Sequence, residues 1–316
     1  MEKPAAARRT RKHNLLGHVK RFLGKTPQER GRSLRYAVRS GLSRLPIFPF
    51  RLVVRLPSGE TIPLWWSYVP GNADFARPYD SYWGDDIAEL LYLHQALKPG
   101  MTFIDIGAHH GIYTLVASRR VGPKGRVVAF EPSARERRRL RIHVALNGAG
   151  CANVEPYAVA SDRGRRVFYT VQSGFWNYAT TMNGLQRPAI DRQVRSEQVR
   201  TISLDDYVAR MKLSQVDVVK VDSEGAELEI LSGAGSLLAE QRPSVICEVL
   251  DGTSQLWNYP ARKIISRLCQ YGYEWFDFRA DGTLAPHQAR DEYPEIRNYL
   301  AVPRERLHRI APLIAA

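Results

Sequence analysis

Apolar runs and amphipathic segments alternate along the chain from residue 85 to residue 302. Apolar residues at helical spacing predict helices over 85–97, 112–120, 134–147, 226–239 and 255–271. Short apolar runs bounded by turn residues predict strands over 101–106, 126–130, 153–158, 216–221, 244–249, 273–278 and 298–302. This alternation indicates an α/β fold, in which helices cover both faces of a doubly wound, mainly parallel sheet.

Two hairpins and one polar stretch are predicted beside these elements. Segments 50–56 and 61–66 flank a Pro-Ser-Gly-Glu turn and predict a β-hairpin, and a second hairpin is predicted across Asp162–Gly164 into 167–170. The stretch 171–198 is rich in aromatic and amide side chains, and is either a lid over a substrate or a surface excursion. The predicted divisions are an extension (1–55), a hairpin and linker (56–84) and an α/β domain (85–316).

The formal net charge of +14 is concentrated in the first 55 residues. They hold 15 Lys and Arg and two acids, whereas the rest of the chain holds 31 bases and 30 acids. Segments 15–23 and 34–45 carry apolar residues at helical spacing and predict two basic amphipathic helices. The extension is a docking element for an anionic membrane surface, a helical cap on the main domain or a poorly ordered arm. Three Ser before residue 55 make an organellar transit peptide a weaker interpretation.

Several classes of protein are disfavoured by composition. No run of about 20 apolar residues is present, as a membrane-spanning helix would require. Cys151, Cys247 and Cys269 are far apart and form no CxxC pair, so we expect neither a disulfide nor a zinc site, and a cytoplasmic location fits. The arginine run of 134–147 is predicted to be a solvated helix face rather than a nucleic-acid surface; it comprises Arg135, Arg137, Arg138, Arg139 and Arg141.

Sheets of this kind bind ligands beyond the carboxyl ends of their strands, so the residues that follow each strand form the candidate site. Asp105 lies at the end of the first strand, and a glycine turn follows it and leads into a helix, which predicts a cofactor-binding turn. The turn residues are Gly107, Ala108, His109, His110 and Gly111. The turn lacks the GxGxxG of dinucleotide folds, which favours a carboxylate-bearing ligand over a pyrophosphate. Glu131, before Pro132, follows the next strand, where a carboxylate can accept from two ribose hydroxyls.

Acids also follow the later strands. Asp162 either accepts from an exocyclic amine of adenine or forms a turn before Gly164. Asp222 and Glu224 follow the fourth strand, and Glu248 ends the fifth. Acids also favour the first turn of a helix, and a strand-end glutamate is often packed in a salt bridge, so these structural interpretations stay open.

The motifs at the strand ends resemble those of the FkbM-type family of S-adenosylmethionine-dependent methyltransferases. They are Phe103-Ile104-Asp105-Ile106-Gly107-Ala108, Phe130-Glu131-Pro132, Ser203-Leu204-Asp205-Asp206 and Lys220-Val221-Asp222-Ser223-Glu224-Gly225-Ala226-Glu227. The resemblance covers roughly residues 85–302. It implies a seven-stranded class I methyltransferase fold and O-methylation of a hydroxyl on a sugar, glycolipid or secondary metabolite. One position departs from the family pattern, because His109 stands where an asparagine is usual.

The resemblance also implies a role for each matched position. Asp105 and Gly107 would hold the amino-acid end of S-adenosylmethionine, Glu131 the ribose and Asp162 the adenine. The further residues expected to bind the cofactor are Ala108, His109, Gly111, Pro132 and Asp222. Asp222 would lie near the transferred methyl group. Asp222, Glu224 and Glu248 are then the candidate base or substrate clamp, with His109 and His110 as alternatives. No ligand spacing among the acids requires a metal, so none is expected.

Three other functions stay open. A nucleic-acid methyltransferase is disfavoured because the loop after the fourth strand lacks the Asn/Asp-Pro-Pro-aromatic sequence and the part of the chain beyond the extension is close to neutral. A dehydrogenase is disfavoured by the missing GxGxxG. A catalytically inactive, membrane-docked module that binds the cofactor is the third.

Overall fold

The computed structural model describes residues 48–56, 59, 61–68, 87–171, 183–188 and 194–314, with residues 23, 24, 26, 27, 29 and 30. Clustering of contacts divides the chain into two units, one of Met1–Phe48 with Tyr68–Ser81 and one of Pro49–Ser67 with Tyr82–Ala316. The two predicted basic helices lie outside the described residues, apart from Leu23. The second unit contains the candidate site.

A β-hairpin begins the second unit, as predicted. Strands β1 (Phe48–Arg55) and β2 (Thr61–Tyr68) form a two-stranded sheet. Asn147 fixes this sheet, because its side chain accepts from the Trp65 N–H at 2.7 Å and donates to the Trp65 carbonyl at 2.6 Å.

Eight strands form the central sheet, in the order β5-β4-β3-β9-β10-β13-β11-β12. They are β3 (Thr102–Ile106), β4 (Arg126–Phe130), β5 (Ala152–Glu155), β9 (Val218–Val221), β10 (Ser244–Glu248), β11 (Tyr273–Phe278), β12 (Leu284–Pro286) and β13 (Asn298–Pro303). The neighbouring strands β5, β4, β3, β9 and β10 pair in parallel. Strand β13 is antiparallel to both β10 and β11. The α/β fold with a mainly parallel sheet is confirmed, and β12 adds an eighth strand beyond the seven expected, because the turn at Asp281–Gly282 folds it back on β11.

Seven α-helices lie in the described part of this unit. They are α1 (Ile87–Ala96), α2 (Ile112–Val121), α3 (Ala134–Leu146), α4 (Leu204–Met211), α5 (Glu227–Ser232), α6 (Asp251–Ser254) and α7 (Arg262–Cys269). Further helical segments of π or 3₁₀ type cover Leu237–Gln241, Gln255–Trp257, Arg304–Arg309 and Ala311–Leu313. The predicted helices 226–239 and 255–271 are each interrupted. Gly233 ends α5 where a Cβ would lie 2.5 Å from the Ala160 carbonyl, and Pro260 separates α7 from the turn before it.

Three further strands form a separate sheet, and two of the predictions made for this region are wrong. The expected strand 153–158 breaks at Pro156, which has no N–H to donate, and only Tyr157–Val159 (β6) continues into this sheet. The expected hairpin across Asp162–Gly164 is wrong, because β7 (Gly164–Val171) pairs along its whole length with β8 (Val194–Ile202). Strand β6 pairs with the other edge of β8.

The order of the central strands fixes the position of the candidate site. The chain runs from β3 outward through β4 to β5, then returns to β9 on the other side of β3. The crevice at such a reversal is the usual ligand site of a doubly wound sheet. The carboxyl ends of β3, β4, β9 and β10 therefore surround one crevice.

The three cysteines are unpaired, and no helix among the described residues has the length and apolar character to cross a membrane.

Candidate active site

The glycine turn after β3 is bound to the end of β4 by backbone hydrogen bonds. The N–H groups of Gly107 and Ala108 both donate to the Phe130 carbonyl, at 3.2 and 3.0 Å. Gly111, whose N–H donates to the Ala108 carbonyl at 2.8 Å, closes the turn and begins α2. These hydrogen bonds therefore hold the glycine turn that follows β3 against the carboxyl end of β4.

Asp105 is buried at the end of β3 with one carboxylate oxygen unused. Its Oδ2 accepts from the Thr114 hydroxyl at 2.6 Å, whereas Oδ1 has no hydrogen-bond partner in the described part of the chain. Burial raises the pKa of Asp105, and the charge of Lys220 opposes that rise. A buried oxygen without a partner is costly, so Oδ1 marks the place where a donor from a ligand would bind.

Glu131 receives two backbone N–H groups at the end of β4. Its Oε2 accepts from His109 at 2.9 Å and its Oε1 from Ser133 at 2.8 Å, so each oxygen keeps a second lone pair. Burial, assisted by the charge of Glu136, raises the pKa of Glu131 to about 8. His109 has a φ of 49°, a left-handed conformation that directs its N–H to Glu131.

A buried polar cluster lies behind the turn. Glu136 accepts from Arg139 Nη1 at 2.8 Å and lies 2.8 Å from His110 Nε2. Burial alone would raise the pKa of Glu136, but these two partners hold it below its usual range. Arg139 is 2% exposed, so the prediction that it lies on the solvated face of α3 is wrong. It points inward because the Glu136 carboxylate, 2.8 Å from Nη1, compensates its charge.

His109, His110 and Glu136 form one group, among the described residues, with ligand atoms close enough for a metal ion, all within 4.8 Å. The Arg139 guanidinium is already in this group, since Nη1 also lies 2.7 Å from His110 Nε2. It therefore supplies the positive charge that a metal ion would bring. The cluster supports the glycine turn from behind.

The acidic loop after β9 lies directly against the glycine turn. The Asp222 N–H donates to the Ile106 carbonyl at 3.2 Å, and the Asp222 side chain, 35% exposed, opens to the crevice. Its Oδ2 accepts from Lys220 Nζ at 2.7 Å. No role was predicted for Lys220, whose one signal in the sequence is its position as a lysine within an apolar strand.

Three further acids lie close to Asp222. Burial, with the charge of Asp222, raises the pKa of Glu224 to about 8, and burial raises that of Glu227 to about 7. Glu227 accepts from the Ser223 N–H at 2.7 Å. Glu248, at the end of β10, is 9% exposed, and its Oε2 is buried without a partner in the described residues. Burial and the charges of Asp222 and Glu227 raise its pKa well above the ordinary value.

The structure therefore brings most of the predicted residues to one crevice, whereas the described contacts of Asp162 lie elsewhere. Its carboxylate, 65% exposed, is paired with Arg166 at 2.5 Å in the turn before β7. Pro132 lies beside Glu131, and its carbonyl accepts from Arg137 at 2.7 Å.

Of the predicted lid 171–198, residues 172–182 and 189–193 lie outside the described residues. Gly184 lies close to the acidic loop, since a Cβ on it would lie 3.5 Å from Glu224 Cβ.

The Ser203–Asp206 motif has a structural role in the described chain. Ser203 caps α4 by accepting from the Asp206 N–H at 3.1 Å. The Asp205 carboxylate accepts from the N–H groups of Ser236 and Leu237, both at 2.9 Å. These bonds join α4 to the turn that follows α5.

Residues 105–275, more than half of the chain, match the family model described as the methyltransferase FkbM domain. The chain belongs to the FkbM methyltransferase family, which confirms both the resemblance and the predicted class of enzyme. A curated relative, the AMB antimetabolite synthetase AmbE of Pseudomonas aeruginosa, is 25% identical over 213 residues, 56% of this chain and 10% of AmbE. The chain thus spans about a tenth of the length of that relative.

Two solved structures similar to this chain are methyltransferases. The methyltransferase FkbM from Methylobacillus flagellatus KT has a TM-score of 0.40 at 16% identity, covering 68% of this chain and 51% of its own. The O-methyltransferase from Bacillus cereus in complex with SAH has a TM-score of 0.38 at 14% identity, covering 71% of this chain and 81% of its own. The description of the fold rests on the strand order given above.

Proposed function

We propose that this protein transfers a methyl group from S-adenosylmethionine to a hydroxyl of a sugar, glycolipid or secondary metabolite. The observation that carries the proposal is the close backbone approach of Gly107, in the glycine turn after β3, to the Asp222 loop after β9, where a Cβ on Gly107 would lie 1.8 Å from the Asp222 carbonyl oxygen. Because of this contact, the residues that suit the cofactor and those that suit an acceptor hydroxyl face the same crevice.

The residues around the turn fit S-adenosylmethionine. Asp105 Oδ1, buried and without a partner among the described residues, suits the cofactor's ammonium group. Glu131 keeps a lone pair on each oxygen for the two ribose hydroxyls. The cofactor supplies a methyl group on a positively charged sulfur, which is activated toward attack by an oxygen nucleophile. The task left to the protein is to position the acceptor and accept its proton.

The acids of the crevice suit an acceptor hydroxyl. Burial raises the pKa of Glu224 to about 8, so Glu224 is mostly protonated near pH 7 and can donate a hydrogen bond to an acceptor oxygen. Asp222 is more exposed to the crevice and has Lys220 as a partner. We assign Asp222 as the base and Glu224 and Glu248 as the residues that hold the acceptor's other hydroxyls.

The same acids argue against a nucleic-acid substrate. A polyanion needs a positive surface at the site, because its phosphates must be neutralised. Here Asp222, Glu224, Glu227 and Glu248 lie together with Lys220, which is already paired with Asp222. An inactive, membrane-docked module is the other alternative, and turnover of the cofactor distinguishes it from an enzyme.

We also propose that residues 1–55 attach this enzyme to an anionic membrane face in the cytoplasm. The support is their composition, 15 Lys and Arg with two acids. A glycolipid acceptor would be presented at such a surface.

The test is mass spectrometry of glycolipid and polysaccharide fractions from cells with and without the gene. The proposal predicts that a species in one of these fractions loses the mass of one methyl group when the gene is absent. Purified protein with S-adenosylmethionine should restore that mass in the extract. An unchanged mass profile, together with no transfer by the purified protein, would contradict the proposal.

A further inference from the structure

Lys220 is a buried cation at the centre of the candidate site. Its side chain is 3% exposed, and Nζ donates to Asp222 Oδ2 at 2.7 Å. Nζ also lies 4.5 Å from the centroid of the Tyr113 ring, within the range of a cation–π contact. Burial of an ammonium group is unfavourable unless opposite charges and hydrogen bonds compensate it. Lys220 is therefore held in a fixed position by named partners.

Strand register places Lys220 between two carboxylates on one face of the sheet. Lys220 of β9 pairs with Asp105 of β3 in parallel register, so their side chains share a face. Asp222 follows two residues after Lys220 and lies on that same face. The cation thus separates the acid that suits the cofactor from the acid that suits the acceptor.

The charges around this position explain why a cation is needed there. Asp222 interacts with Asp105 of β3, Glu224 and Glu227 of its own loop and helix, and Glu248 of β10. His109, on the glycine turn, also faces Asp222, and burial lowers the pKa of His109 to about 4, so it is neutral near pH 7. Lys220 Nζ, 2.7 Å from Asp222 Oδ2, is a positive charge placed among these acids.

We propose that Lys220 is a positioning residue that holds the Asp222 carboxylate ionised and in place to take the proton of the acceptor hydroxyl. This inference rests on the proposed function. In the transfer step, the hydroxyl oxygen forms a bond to the methyl carbon, and the carbon–sulfur bond breaks with its electron pair on sulfur. The hydroxyl proton passes to Asp222, so no further reactant is needed.

The experiment compares rates of methyl transfer from radiolabelled S-adenosylmethionine to the unmethylated extract of cells that lack the gene. Lys220→Met should lower the rate at saturating cofactor by at least about tenfold, because an uncharged neighbour no longer holds the base ionised. The acidic limb of the pH–rate profile should move to higher pH. Lys220→Arg should keep the wild-type limb, since it keeps the charge. Lys124→Met, the same substitution at an exposed lysine, should match the wild type.

The Asp222→Asn background shows whether Lys220 acts through Asp222. Adding Lys220→Met to Asp222→Asn should lower the rate less than about threefold further. The effects of two substitutions are not additive when the two residues act as a unit. Calorimetric affinity for S-adenosylmethionine should weaken less than the rate does, and this smaller effect, which comes from Asp105, should persist in that background. If Lys220→Met does not fold, Lys220→Gln takes its place in the same comparison.

Two results separate failure of this inference from failure of the proposed function. In the first, the wild type transfers methyl groups, and Lys220→Met either has the wild-type rate and pH profile or lowers the rate of Asp222→Asn by the same factor as it lowers that of the wild type. The inference is then wrong and the proposed function stands. If the wild type transfers nothing to the extract, both are wrong.

Discussion

The carbonyl oxygen of Asp222 occupies the space that a side chain on Gly107 would need. A Cβ built on Gly107 would lie 1.8 Å from that oxygen, and Gly107 has a φ of 78°. The backbone of the glycine turn after β3 therefore lies directly against the backbone of the acidic loop after β9. This close approach aligns the part of the site that suits the cofactor with the part that suits the acceptor.

Gly107→Ala should consequently destabilise the protein more than backbone strain alone can explain. Gly148 provides the matched control, because its φ is also positive, at 60°, and a Cβ there would meet nothing within 4 Å. We expect Gly148→Ala to cost about 1 kcal/mol of unfolding free energy and Gly107→Ala at least about 3 kcal/mol. Denaturant unfolding measures both. Equal losses for the two variants would show that the turn and loop are not in contact.

Asp222→Asn tests the assignment of the base. Asparagine keeps the shape of the side chain but cannot accept a proton, so the rate of methyl transfer should fall on the order of a hundredfold. Affinity for S-adenosylmethionine, measured by calorimetry, should stay near the wild-type value. A wild-type rate would remove Asp222 from the mechanism, and a lost affinity would reassign it to the cofactor.

The unliganded protein should lose stability as the pH rises from 6.5 to 8. In the folded state, burial raises the pKa of Glu131 and Glu224 to about 8 and that of Glu227 to about 7, from an ordinary value of 4.5. The folded state therefore binds more protons than the unfolded state in this window, and the free energy of unfolding falls with a slope of about 1.4 kcal/mol per pH unit for each extra proton. The pKa of His109 is lowered to about 4, so its opposite effect lies below pH 6.5.

Thermal melting between pH 6 and 8.5 measures this loss. Glu227→Gln should flatten the decline, because glutamine keeps an acceptor for the Ser223 N–H and does not ionise. Glu240→Gln, at an exposed position, should leave the decline unchanged. A melting temperature that stays constant or rises between pH 6.5 and 8 would show that these carboxyls are already ionised in the folded protein.

Deletion of residues 1–45 should abolish binding to anionic vesicles and leave cofactor affinity intact. The attraction of the basic extension is mainly Coulombic, and the Debye length falls from about 10 Å at 0.1 M salt to about 3 Å at 1 M. Cosedimentation of the whole chain should therefore weaken with salt, with a remainder from apolar side chains such as Leu15 and Phe22. If the whole chain ignores anionic vesicles at low salt, the extension does not dock on membranes.

Local sequence patterns were sufficient to predict the strands that carry the site. Strand β4 has the predicted bounds, and β3 and β10 differ from theirs by one residue each. These strands are short apolar runs followed by turn residues, and their length and flanks distinguish them from helices. The order of the motifs at their ends then predicted which residues would meet, because parallel strands bring their carboxyl ends together.

What local patterns could not show were contacts between distant segments. Arg139 is one of five arginines on α3, and only the positions of Glu136 and His110 identify it as the buried one. The partner of β7 is β8, more than twenty residues later in the chain, and not the adjacent β6. Lys220 acquires its environment from β3 and α2, neither of which is near it in sequence.

The central claim is that S-adenosylmethionine binds at the glycine turn after β3 with its ribose on Glu131, and calorimetric titration of Glu131→Ala tests it most directly. Hydrogen bonds to charged groups contribute about 1.5–3 kcal/mol each, so loss of this carboxylate should weaken binding at least tenfold at pH 8.5, where Glu131 is mostly ionised. Glu240→Ala, at an exposed position, is the matched control and should bind as the wild type does. Wild-type affinity in a folded Glu131→Ala protein would contradict the account.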